Sequence, residues 1–164
     1  MPIYKNSQSD GIMENDNTPL IKWTDSLLIG IELIDNQHKQ LVSLTNELYK
    51  ACKLGGDELD AVFKETMSRV VEYVRFHFGV EQEMLQRVKF PNYASHKAEH
   101  DSFVKTVLET TKEYGNIRRF VPNNFCRFLR DWIVGHIGHL DKIYAAYIVD
   151  QMRKGLITNK DISG

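Results

Sequence analysis

Six histidines, His38, His77, His96, His100, His136 and His139, are spread along the 164 residues of the chain. His77 and Glu81 in HFGVE are four residues apart, and so are His96 and His100 in HKAEH. On an α-helix this spacing puts two side chains on one face, one turn apart. Imidazole and carboxylate are ligands for divalent first-row metals. One such pair is an ordinary surface feature, but several turned toward a shared interior make a metal site of the kind that helix bundles build.

The segment WIVGHIGHLD, Trp132 to Asp141, sets two histidines and an aspartate among large apolar residues. Buried polar groups cost several kcal/mol, on the order of 2–7, unless each finds a partner. His136 and Asp141 are five residues apart, which is about 140° around an ideal helix. They share a face only if the helix is locally unwound, and Gly138 gives room for a π-type bulge there. On spacing alone His139 is the better partner for His136, so geometry leaves the choice open.

The elements that must position these residues are helical, because apolar residues recur at three and four and strand signals are scarce. A first helix is expected from near Asp35, with Asp35 or Asn36 as its cap, to the stop at Gly55-Gly56. A second runs from about Asp57 to Arg87, with Val62, Met67, Val70, Val71, Val74 and Phe78 as its apolar stripe. A third extends from about Tyr93 to Tyr114, before Gly115-Asn116, and a fourth from Val121 or Pro122 to Lys154, before Gly155. Short connections favour antiparallel neighbours, so the expected fold is all-α, an up-down-up-down four-helix bundle. Residues 20–33, with Trp23, form an N-terminal arm across it. Residues 1–19 read as a flexible polar tail, 20–154 as the bundle and 155–164 as a C-terminal tail.

A chain of this length builds one domain with a substantial core. Its 42% hydrophobic and 26% charged residues are those of a globular protein, and a formal charge of -1 argues against a nucleic-acid or anionic-membrane surface. No apolar run reaches the roughly 18 residues of a membrane span. Residues 1–19 lack the apolar stretch of a secretory signal, and Cys52 and Cys126 lack CxxC spacing, so a reducing cytoplasm is expected.

The runs WTDSLLIGIELIDNQHKQL from Trp23, HFGVEQEM from His77, FPNYASHKAEHDSF from Phe90 and WIVGHIGHLDKIY from Trp132 together resemble the hemerythrin family, in particular its single-domain bacterial members. The resemblance covers roughly residues 20 to 150. It implies five histidine ligands, His38, His77, His96, His100 and His136, and two bridging carboxylates, Glu81 and Asp141. It also implies two iron ions with a bridging oxo or hydroxo group. His96, His100 and His136 would hold one iron and His38 and His77 the other, where dioxygen binds. His139 falls outside the pattern and is expected to be a partly exposed or hydrogen-bonded histidine.

Two octahedral ions offer twelve positions; five imidazoles, two bridging carboxylates and one bridging hydroxide fill all but one. A site with a vacancy binds a small ligand. Oxygen-activating di-iron carboxylate proteins carry Glu-x-x-His on two helices, and this chain has none; Asp35, three before His38, is explained as a helix cap. A histidine-rich shell favours reversible dioxygen binding over substrate oxidation. Leu41, Phe78, Trp132 and Ile133, next to or one turn from a ligand, are expected to line a dry oxygen pocket. The rival readings are an enzyme reducing peroxide or nitric oxide, an oxygen sensor, and a structural zinc site, which seven candidate ligands make the weakest.

Overall fold

The structure is a computed structural model that describes residues 18–116 and 121–162. The expected polar tail therefore lies, except for Thr18 and Pro19, outside the described residues. Three long helices come first: α1 (Glu32–Leu54), α2 (Gly56–Arg87) and α3 (Tyr93–Asn116). The fourth rod is built of α4 (Val121–Trp132), a π-helical segment (Ile133–Leu140) and α5 (Asp141–Arg153). A last turn, α6 (Asn159–Ile162), follows. No strand occurs among the described residues. Helix α1 packs on α2 and α4, α2 on α3, and α3 on α4, which is the expected antiparallel four-helix bundle.

Gly55 breaks α1 from α2 because it sits at φ 73°, a left-handed conformation that side chains resist. On α2 the buried face is Phe63, Met67, Val70, Tyr73, His77, Phe78, Glu81, Met84 and Leu85. The stripe read from the sequence is slightly off this face. Val71, 40% exposed, points outward, since it lies about 100° from Val70 around the helix.

Helix α1 begins three residues before the expected cap, with Ile31 at the N-cap position and no side-chain cap bond. Asp35 sits inside the first turn instead. Its carboxylate accepts the N–H groups of Ile29 at 2.9 Å and Gly30 at 3.0 Å, tying the preceding arm to the helix. Asn46 makes a second tie: its Oδ1 accepts the Ile21 N–H at 2.9 Å and its Nδ2 donates to the Ile21 carbonyl at 2.8 Å. Ile21 and Leu27 of the arm are buried, and Trp23 packs partly buried beside them under the Lys39 ammonium, 5.5 Å from the ring centroid. At the other end, residues 156–162 fold back. Ile157 and Ile162 pack on the core, and Arg87 donates to the Asp161 carbonyl at 3.3 Å.

The core is divided into two apolar clusters. One contains Leu41, Val42, Tyr73, Phe78, Phe103, Leu129 and Ile133. The other contains Ile34, Met84, Leu85, Phe90 and Tyr144. Leu41 follows His38 by three residues and Tyr73 precedes His77 by four, whereas Ile34 precedes His38 by four and Leu85 follows Glu81 by four. Because α1 and α2 run in opposite directions, the layer of polar side chains lies between the two clusters.

Candidate metal centre

Every rod contributes to that layer. His38 comes from α1, His77 and Glu81 from α2, His96 and His100 from α3, His136 from the π segment, and Asp141 is the first residue of α5. All seven are buried. Their donor atoms form two groups, Glu81 with His96, His100 and His136, and Glu81 with His38 and His77; within each group the atoms lie within 4.8 Å of one another. Glu81 belongs to both. Asp141 also spans them, with Oδ2 3.3 Å from His38 Nε2 while Oδ1 is 3.1 Å from His136 Nε2 and 3.6 Å from His96 Nε2.

These spacings fit metal coordination. At a metal–imidazole length of about 2.1 Å, adjacent octahedral donors are about 3.0 Å apart. Here His100 Nε2 and His136 Nε2 are 3.0 Å apart, and Glu81 Oε2 is 3.1 Å from His100 Nε2 and 3.3 Å from His96 Nε2. The remaining separation, His77 Nε2 to Glu81 Oε2, is 3.8 Å. Of the atoms turned into this layer, Nε2 of His38 and both oxygens of Asp141 are buried without a hydrogen-bond partner among the described residues. Atoms so placed are costly unless something binds them.

The electrostatics agree. Burial pushes His38 down to about 4, His77 to about 3 and His136 to about 2, so these imidazoles stay neutral and able to ligate. Burial and the nearby Glu81 charge raise Asp141 well above the usual carboxylate range. Burial also works against ionising Glu81, yet hydrogen bonds from His100 and His96 hold its carboxyl well below that range. Two buried carboxylates of which one resists ionisation form a site short of positive charge, which bound cations supply.

The π segment brings Asp141 to the face of His136 and leaves His139 outside. The Asp141 N–H bonds to the carbonyl of His136, an i→i+5 bond, and the widened turn brings both side chains to one face. His139 is exposed and stands in neither group. Gly138 is not what makes the bulge possible: a Cβ there would meet Leu27 Cδ2 at 3.8 Å and the Ile133 carbonyl at 3.9 Å, which are ordinary contacts. The four expected pocket residues also gather here. Phe78 stacks on His100 with centroids 3.7 Å apart, Trp132 stacks on His136 at 4.0 Å, and Leu41 and Ile133 are fully buried.

Three supporting residues have no signature in the sequence. Gln37 Oε1 lies 2.7 Å from His77 Nδ1 and accepts its proton, leaving Nε2 free to face the centre. Gln82 lies 3.1 Å from His100 Nδ1; with its amide turned so that oxygen faces the ring, it does the same for His100. Tyr144 donates to Glu81 Oε1 from the other side. They act across helices, 40, 18 and 63 residues from their partners, where no periodicity reports them.

Residues 29–148 match the family profile described as the Hemerythrin HHE cation binding domain. A bacteriohemerythrin of Methylococcus capsulatus is 31% identical over 131 residues, covering 76% of this chain and 94% of that protein. One from Stenotrophomonas maltophilia is 31% identical over 126 residues, covering 77% of this chain and 80% of that protein. Among solved structures, a wild-type hemerythrin superimposes with a TM-score of 0.68 at 30% identity, covering 77% of this chain and 96% of that one. A single-substitution hemerythrin mutant gives 0.69 at 29% identity, covering 79% and 97%. Matched over most of its length by the profile and by these relatives, and carrying two clusters of metal-binding side chains in a four-helix bundle, the chain belongs to the hemerythrin family.

Proposed function

We propose that this protein binds dioxygen reversibly at a di-iron centre held by His38, His77, Glu81, His96, His100, His136 and Asp141. Family membership brings the di-iron centre, and these are the residues that would hold it. The observation that carries the reading is the unequal division of donors: three histidines share Glu81 in one group and two in the other. With both carboxylates common to the two sides, the His38–His77 side is one ligand short. When bound, the irons supply a vacant coordination position there and two electrons to share with the ligand.

The chain's own residues make such binding reversible. Leu41 and Ile133 are fully buried, and Phe78 and Trp132 lie flat against ligand rings, so water and stray protons are kept out. Gln37, Gln82 and Tyr144 hold two imidazoles and one carboxylate in orientation, so that little rearranges as a ligand comes and goes. No described helix is long and apolar enough to cross a membrane. The two thiols, Cys52 and the buried Cys126, are unpaired, which supports a reducing cytoplasm as the place of action. Storage, delivery, scavenging and sensing all draw on the same binding step.

The test is stoichiometry in an oxygen electrode. Ferrous-loaded protein is expected to take up one dioxygen per two irons and then stop, with no hydrogen peroxide accumulating. Sustained consumption of peroxide or nitric oxide with a reductant present would assign the centre to an enzyme instead.

A further inference from the structure

Each apolar cluster sends a buried tyrosine toward a ligand of the metal layer: Tyr73 stacks on His77, and Tyr144 bonds Glu81. Their hydroxyls differ. Tyr144 donates to Glu81, whereas the Tyr73 hydroxyl is buried with no hydrogen-bond partner among the described residues. Buried tyrosine hydroxyls usually find a partner, and one left alone costs about 1–3 kcal/mol. The Tyr73 ring is fixed, stacked on His77 with centroids 4.8 Å apart and planes 20° apart. A groove between α1 and α2, open to the surface beside Phe76, is lined by Gln37 and Tyr73, so Tyr73 forms part of the wall between solvent and centre.

The register places the residue. Tyr73 precedes His77 by four residues, Leu41 follows His38 by three and Ile133 precedes His136 by three; with α1 antiparallel to α2, all three lie on the same side of the ligand layer and in the same cluster. Tyr73 thus brings a buried, unpartnered donor into the cluster of Leu41 and Ile133, on a ring stacked against a histidine of the side of the centre that has only two.

We infer that Tyr73 donates its hydroxyl hydrogen bond to the small anionic ligand occupying the vacant position beside His38 and His77, and so sets which ligands the protein holds and how tightly. This rests on the di-iron reading above. An oxygen or nitrogen ligand that carries negative charge when bound accepts such a bond; a ligand without an acceptor gains nothing from it. Tyr144, already bonded to Glu81, is a positioning residue and has no donor left to offer.

Azide added to the full-length ferric protein serves as the anionic probe, followed by its visible absorption. Tyr73→Phe is expected to keep two irons, weaken azide binding by about tenfold or more, and shift the azide band. Without metal, Tyr73→Phe should melt no lower than the unaltered chain, since no bond is lost, whereas Tyr144→Phe should melt lower. Equal azide affinity in both proteins would overturn the inference and leave the di-iron reading standing. A fall in metal-free melting temperature matching that of Tyr144→Phe would overturn it too, by revealing a structural partner such as Gln37 Nε2. Loss of a ferric phenolate band in the azide-free variant would overturn it by making Tyr73 a ligand. An unaltered protein that takes up no pair of irons, or no azide, would overturn the di-iron reading and this inference together.

Discussion

His136 and Asp141 are five residues apart in the chain, yet Nε2 of one and Oδ1 of the other approach to 3.1 Å. The i→i+5 bond from the Asp141 N–H to the His136 carbonyl makes this possible, because it widens the helix where a regular turn would separate the two side chains. A π-helical turn packs less regularly than an α-helical one, and its persistence here is explained by what it aligns.

The first prediction separates the two histidines of this segment. His139→Ala is expected to retain two metal equivalents and an unchanged melting temperature, because His139 is exposed and outside both donor groups. His136→Ala should lose at least one equivalent. Metal analysis of the two purified variants decides, and loss of metal from His139→Ala alone would reverse the assignment of the fourth rod.

Gln37 provides a second. Gln37→Leu keeps the side-chain volume roughly constant but removes the acceptor 2.7 Å from His77 Nδ1. Metal affinity should fall about tenfold to hundredfold, as is usual when the partner of a ligating histidine is lost. Competition with a chelator measures it, and an unchanged affinity would show that His77 needs no such support.

A third prediction concerns pH in the metal-free protein. The folded values of about 4, 3 and 2 for His38, His77 and His136 lie below the ordinary 6.5, so between pH 6.5 and 4 the unfolded chain binds the extra protons. Stability must therefore fall as pH falls through that window, by about 1.4 kcal/mol per net proton per pH unit. Asp141, raised instead, acts with the opposite sign and offsets part of this. Urea unfolding from pH 7.5 to 4.5 measures the slope. Bound metal should add stability throughout, until acid releases it.

Much of the site can be read in the sequence because its rules are local. His77 with Glu81 and His96 with His100 obey the period of the helix, and the glycine stop at Gly55 delimits α1, whereas α3 runs on through the expected stop at Gly115 to Asn116. What escapes such reading depends on contacts between distant segments. The approach of Asp141 to His136 depends on the π turn, which residue spacing alone left open. Asp35 looks like a cap but holds the arm, since the helix begins at Glu32. The bonds of Gln37, Gln82 and Tyr144 cross between rods. Tyr73 has the spacing of a core residue, and what sets it apart is a hydroxyl with no partner among the described residues.

A fourth prediction tests the dry pocket. Ile133 is fully buried at the start of the π segment, three residues before His136. Ile133→Ala should leave the iron content nearly intact but shorten the lifetime of the oxygenated form tenfold or more, about 1.4 kcal/mol of barrier. A time course of the visible spectrum in air, at matched iron loading, measures the lifetime; equal decay in both proteins would show that Ile133 does not guard the centre.

The most direct measurement of the central claim is a visible spectrum of the iron-loaded, reduced protein taken in argon, then in air, then again in argon. Reversible dioxygen binding predicts that a new band appears in air and that the starting spectrum returns when the gas is removed, over repeated cycles. A spectrum that changes in air and never returns, or one that does not respond to air at all, would contradict it.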